Sequence, residues 1–166
     1  MNQRGQFEQL LQSHRGIVYK VAGSYSRTTS DRDDLAQEIC LQLWRAFPKY
    51  DSRRKFSTWM YRVALNVAIS HLRRKPQYDP HSAEPLNDLH LETLADPVSG
   101  HGQAETEVLM TFIARLEPLH RALILLYLDD HSYADMAAIL GISETNVATK
   151  INRIKNTLRS MNDGTR

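Results

Sequence analysis

Residues 132–159 read SYADMAAILGISETNVATKINRIKNTLR, two short helical patterns joined by a tight turn, the second of them basic. Ser132 is placed to cap the first helix, with Asp135 in its first turn, and Met136, Ala137 and Leu140 recur behind it at helical spacing. Gly141 supplies the permissive backbone of a sharp helix exit, and Ile142 can plug the corner. Ser143 then caps a second helix whose Val147, Ile151, Ile154 and Leu158 form one apolar stripe. The opposite face offers Ser143, Glu144, Thr145, Asn146, Thr149, Lys150, Asn152 and Arg153, side chains suited to base edges and phosphates. A helix-turn-helix that reads duplex DNA is the sharper reading; an ordinary pair of antiparallel helices is the plainer one.

Working outward, the chain of 166 residues has room for one medium domain or two small ones. With 42% hydrophobic and 24% charged residues its composition is that of a soluble globular protein. The net charge of +2 matters less than its distribution. Residues 52–75 hold seven Lys or Arg and no acid, whereas residues 76–110 hold seven acids and no Lys or Arg. The second stretch also carries Pro76, Pro80, Pro85, Pro97 and Gly100, the composition of a flexible acidic linker. Helical periodicity occupies both sides of it, and no strand-like alternation is convincing. The fold expected is all-α: two small helical domains, residues 1–75 and 105–166, joined by a linker over 76–104, with four helices on each side.

Within the first domain, Phe7, Leu10, Leu11, Ile17, Val18 and Val21 make an initial apolar face, and residues 23–30 read as a loop. Residues 31–47 predict an amphipathic helix with Ala36, Ile39, Cys40, Leu43 and Phe47 inward. Asp34, Gln37, Glu38, Leu41 and Arg45 then face outward, as a solvated surface or as a docking face for a partner. Residues 56–74 predict a helix that is apolar almost all round, with Phe56, Met60, Val63, Ala64 and Val67 as its core stripe. Trp59, Tyr61 and Asn66 are left among Arg53, Arg54, Lys55, Arg62, Arg73 and Arg74. Aromatics among cations suit single-stranded nucleic acid, because rings stack on unpaired bases while cations hold the backbone. Both rings lying in the core is the equal alternative.

The exclusions are as informative. The one cysteine, Cys40, rules out an intrachain disulfide, and the scattered histidines have no spacing suited to zinc, so no metal and no cofactor is expected. There is no nucleophile triad, phosphate-cradling glycine loop or catalytic carboxylate pair, so no enzyme activity and no small-molecule substrate are expected. No segment approaches a membrane span and the polar start MNQRGQFEQL is unlike a signal peptide, which points to the cytoplasm.

The two halves together resemble the extracytoplasmic-function class of bacterial sigma factors. DDLAQEICLQLWRAFPKYD is similar to the family segment that docks on the β′ clamp helices of core RNA polymerase, and FSTWMYRVALNVAISHLRRK to the segment for the −10 element and strand opening. LEPLHRALILLYLDDHSYADMAAILGISETNVATKINRIKNTLR is similar to the domain that reads the −35 element. The resemblance implies a dissociable initiation subunit that binds core polymerase (β′ and β) and promoter DNA and is held by an anti-sigma factor. It places Asp34, Gln37, Glu38 and Leu41 on the docking face. Trp59 and Asn66, beside the loop 50–55, fall on the melted strand, with Arg53, Arg54, Lys55, Arg62, Arg73 and Arg74 around them. Ala148 and Asn152 stand where basic or aromatic residues are common in the recognition helix. The competing reading is a free-standing helix-turn-helix regulator of duplex DNA.

Overall fold

Phe7, buried against Trp44 and Phe47 with ring centroids 5.2 Å away in each case, pins the start of the chain onto the elements that follow. The computed structural model describes residues 2–74 and 103–163. Those residues form eight α-helices and one 3-10 turn, without a strand among them. In chain order these are α1 (Gln3–Ser13), α2 (Arg15–Ser24), α3 (Thr29–Ala46), the 3-10 turn Phe47–Lys49, and α4 (Phe56–Arg73). The second half holds α5 (Gln103–Arg115), α6 (Pro118–Leu128), α7 (Tyr133–Leu140) and α8 (Glu144–Asp163). The linker expected over 76–104 lies outside the described residues apart from Gln103 and Ala104, which open α5.

Local chemistry sets the boundaries. Asn2 caps α1 by accepting from the Gly5 N–H at 2.8 Å, and Thr28 caps α3 by accepting from Asp31 N–H at 3.1 Å. The expected loop over 23–30 is shorter than its composition suggests: Gly23 and Ser24 still belong to α2. The hydroxyls of Ser24 and Ser26 turn back on the carbonyls of Lys20 and Ala22, at 2.8 and 2.6 Å, so polar residues finish a buried helix end. Pro48 stops α3 as expected, inside a 3-10 turn.

Two core stripes differ from expectation. In α3 the buried line is Leu35, Ile39 and Leu43, with Ala36 and Cys40 only half-buried beside it. In α4 the buried set is Phe56, Met60, Tyr61, Ala64, Leu65, Ala68 and Leu72, and the expected Val63 and Val67 are half-buried. The reason is that α4 is covered twice. One side packs on α2 and α3, the other on α6 and α7, so one core runs through both halves. Tyr61 belongs to that second covered side and is fully buried, which removes it from any nucleic-acid surface.

The helix-turn-helix follows its sequence closely. Ser132 Oγ accepts from Asp135 N–H and Ser143 Oγ from Asn146 N–H, both at 3.1 Å. Gly141 has φ +70°, and its N–H reaches Ala137 O at 2.9 Å, closing α7. Met136, Ile139, Val147, Ile151 and Ile154 are buried, and Ile142 packs at the corner. A Cβ at position 141 would meet nothing within 4 Å, so only the backbone conformation forbids a side chain. Gly141→Ala should therefore lose about 1 kcal/mol of stability, the usual penalty of a left-handed L-residue. Gly141→Asn should lose less. A urea titration in which the alanine variant matched the parent would refute this account of the turn.

Candidate nucleic-acid and polymerase interfaces

Three exposed surfaces emerge. On α3, Asp34, Gln37 and Arg45 are exposed around Leu41, which is 45% accessible. Trp44, 39% accessible, extends the same apolar patch. Glu38 differs from its neighbours: it is half-buried, with Oε2 3.9 Å from Nδ1 of His71 on α4, while Nε2 of His71 lies 3.2 Å from Asp31 Oδ1. The expected four-residue face thus has three outward members and one that clips α3 to α4.

The second surface begins in the loop between the 3-10 turn and α4. Asp51 takes the backbone N–H of Arg53 at 3.0 Å and grips its guanidinium in a fork, Nε–Oδ1 and Nη2–Oδ2 both 3.0 Å. Arg53 thereby holds the Asp51 carboxyl below its usual range, chiefly through the side-chain bond. The Tyr50 hydroxyl donates to Arg54 O at 2.6 Å, tying the other end of the loop. Beneath lies an aromatic bed. The Tyr50 ring is 5.0 Å from Trp59 and 5.9 Å from Phe47, and Phe56 is 5.4 Å from Trp59. Trp59 is half-buried, so each alternative read from sequence holds in part: it packs on the core and keeps an open side.

From Trp59 the spacing of α4 carries Arg62, Asn66 and Arg73 along one line, at i+3, i+7 and i+14, and all three are exposed. Arg54, Lys55 and Arg74 are exposed at its two ends. Arg53 is exposed too, but it arrives paired with Asp51. Sequence periodicity missed a neighbouring feature contributed by α1. A surface cavity of about 440 Å³ lies between Gln3, Gln6 and Gln9 on one side and Phe47, Tyr50 and Ser52 on the other. The signal was present as three glutamines at a spacing of three, but nothing local ties them to the loop.

The third surface is the outer face of α8. Ser143, Glu144, Thr145, Asn146, Thr149, Asn152 and Arg153 are exposed and Lys150 is half-buried, opposite the buried Val147, Ile151 and Ile154. His120, unremarked in the sequence, lies close to this face. Burial pushes its imidazole below the ordinary range, Glu117 opposes the shift, and the charges of Lys150 and Arg153 add to it.

With this geometry in place, the comparisons agree from both ends of the chain. Residues 10–77 match the family model for Sigma-70 region 2, and residues 106–158 that for Sigma-70 region 4. The ECF RNA polymerase sigma-E factor of Haemophilus influenzae is 31% identical over 147 residues, 82% of this chain and 78% of that protein. The chain belongs to the extracytoplasmic-function family of RNA polymerase sigma factors. The ECF RNA polymerase sigma factor SigW of Bacillus subtilis is 27% identical over 163 residues, 92% of this chain and 87% of its own. Among solved structures, CnrH in complex with the cytosolic domain of CnrY superimposes with a TM-score of 0.69 at 25% identity, covering 99% of this chain and 92% of that one. As a sigma factor the chain directs transcription initiation, and its expected all-α, two-domain fold stands. No helix among the described residues is long and apolar enough to cross a membrane.

Proposed function

We propose that the three surfaces divide the work of initiation. The α3 face, through Asp34, Gln37 and Leu41 with Trp44 beside them, docks on core RNA polymerase; Glu38 supports the face from its clip to His71. The line Trp59–Arg62–Asn66–Arg73, with Arg53, Arg54, Lys55 and Arg74, holds the melted strand of the −10 element. Ser143, Glu144, Thr145, Asn146, Thr149, Lys150, Asn152 and Arg153 of α8 read duplex DNA at the −35 element. The domain limits follow as 1–75 and 105–166. The chain performs no covalent chemistry itself and works in the cytoplasm. Because CnrH is seen with the cytosolic domain of CnrY, an anti-sigma factor is the expected regulator here.

The observation that carries this reading is the α4 line: one row of a half-buried ring with exposed cations and an exposed amide, on a helix whose other residues include Met60, Tyr61, Ala64, Leu65 and Ala68 of the core. Rings of that kind stack on unpaired bases irrespective of sequence, and cations follow the strand. A free-standing regulator that reads only duplex DNA has no use for such a row.

The test is run-off transcription with purified core polymerase, preceded by gel filtration of chain and core without DNA. A stable complex is expected. Gln37→Ala combined with Leu41→Ala should weaken that complex about tenfold or more, since exposed anchors at the centre of a patch dominate binding. Exposed substitutions change stability by only about half a kcal/mol, so the fold should survive. Full affinity for core, in a variant whose helicity is intact, would remove the docking assignment.

A further inference from the structure

His71 stands where two of the proposed surfaces meet. It lies in the last turn of α4, and Arg73 and Arg74 follow it at the end of the strand-holding line. Across the seam, α3 presents two carboxylates to its ring. Nε2 meets Asp31 Oδ1 at 3.2 Å, in the first turn of α3, and Nδ1 lies 3.9 Å from Glu38 Oε2, two turns further on. The first distance is that of a hydrogen bond, the second that of an ion pair. The Asp31 contact is well covered, its side chains 19% and 16% accessible, whereas the Glu38 side chain is 35% accessible.

The chemistry of the ring makes these two contacts unequal. A neutral imidazole donates from one nitrogen and carries a lone pair on the other; only imidazolium donates from both. The shorter, better covered contact takes the one hydrogen of the neutral ring, on Nε2. Nδ1 then turns a lone pair toward the Glu38 carboxylate and gives it nothing to bind. With a hydrogen on each nitrogen both carboxylates are held, and Glu38 is drawn toward α4. Other charges stand around the seam. On α3, Arg32 reaches Asp33 at 3.2 Å and Asp34 is exposed, and Arg74 caps α4. Lys20 of α2, with Asp129 and His131 beyond α6, meets α4 at Tyr61, ten residues and about 15 Å before His71. The acid of α7, Asp135, is exposed.

We propose that His71 is a positioning residue of the core-docking face, and that its charge decides whether Glu38 is clipped to α4 or stands outward beside Gln37 and Leu41. The proposal rests on the docking role given to α3. Imidazolium withdraws Glu38 from that face; the neutral ring releases it to join the face as a further acid. Histidine suits this task, because its charge changes within about pH 5–8. Affinity for core polymerase then rises with pH across that range.

The test has two readouts on the full chain. In the first, affinity for purified core is measured at about pH 6 and about pH 8 for the parent, His71→Gln and Glu38→Gln. The parent should bind about threefold to fivefold more tightly at the higher pH, the worth of one partly exposed ion pair. Polymerase titrates as well, so the ratio between the two conditions is what counts. That ratio should fall to one common value in both variants. His71→Gln keeps a donor for Asp31 and never becomes a cation, so it should stay tight in both conditions, and Glu38→Gln should stay weak. Equal ratios in all three proteins overturn the proposal, as does weak binding by a His71→Gln variant of intact helicity. In the second, the chain alone is titrated by NMR. The Glu38 carboxyl carbon should shift in step with the His71 ring nitrogens, and that step should vanish in His71→Gln. A Glu38 resonance that does not follow the ring overturns the clip whatever the chain does with polymerase. If the parent binds core in neither condition, the docking reading fails instead, and the resonances still judge the clip.

Discussion

Lys150→Ala together with Arg153→Ala is expected to reduce affinity for a −35 duplex at least tenfold while leaving the second half of the chain folded. Both residues ride on α8, whose buried Val147, Ile151 and Ile154 fix its rotation and so fix where the cations point. Neither is needed by the core: Arg153 is exposed and Lys150 half-buried. Two kinds of contact give different signatures. Losing a phosphate contact lowers the salt slope by about one and weakens all sequences alike, whereas losing a bidentate contact to guanine costs roughly 1–3 kcal/mol and relaxes specificity at one base pair. Titrations at several salt concentrations against a promoter duplex and a scrambled one separate the two. Unchanged affinity and unchanged salt slope in both would leave α8 without a role in DNA binding.

How much of this was legible in sequence depends on how local the cause is. The helix-turn-helix was readable nearly residue by residue because its determinants act within four positions. Ser132 and Ser143 cap their own first turns, and Gly141 takes the left-handed conformation that only its missing Cβ makes cheap. The α3 stripe was displaced because Ala36 and Cys40 look as apolar as Leu35 in a periodic pattern; only packing says which of them is innermost. Burial lifts the Cys40 thiol above its ordinary pKa, in keeping with a packing role for the half-buried side chain.

Tyr61 shows the limit most clearly. Its partner Asp129 lies 68 residues away, in the other half of the chain, and no period connects them. There was nonetheless a signal. A helix that is apolar all round is buried on more than one face, and α4 has just that composition, so a second covering element was implied before it was located. The aromatic loop carries the same lesson in reverse. Arg53 looked like one more free cation in a basic run, yet Asp51, two residues earlier, already holds it. Charge runs overstate the cations available to a strand wherever an acid stands within a turn of them.

Arg121→Met is expected to be the most damaging single substitution in the second half, costing about 3 kcal/mol, a large part of the 5–15 kcal/mol that holds a domain folded. Arg121 lies in the apolar run RALILLYL and is 6% accessible, an unusual place for a guanidinium. Its position is explained by where its bonds go. Nη2 donates to Ala114 O at 2.8 Å and Leu116 O at 3.0 Å, and Nη1 donates to Ser24 O at 2.7 Å. Ala114 lies in the last turn of α5, Leu116 just beyond its end, and Ser24 closes α2, so one side chain satisfies carbonyls at two helix C-termini. Its positive charge also stands at the negative ends of both helices and over the ring of Tyr25, 5.0 Å from the centroid. Methionine would refill the volume but leave three carbonyls short of a donor, at about 1–3 kcal/mol for each that water cannot reach. Lysine should fall between the two, because a single ammonium cannot reproduce a planar fork that bonds in two directions. Urea titrations followed by circular dichroism check the order Arg, Lys, Met. A methionine variant within about half a kcal/mol of the parent would mean that neither the bonds nor the charge of the guanidinium stabilises the fold, and that the two helix ends find their donors elsewhere.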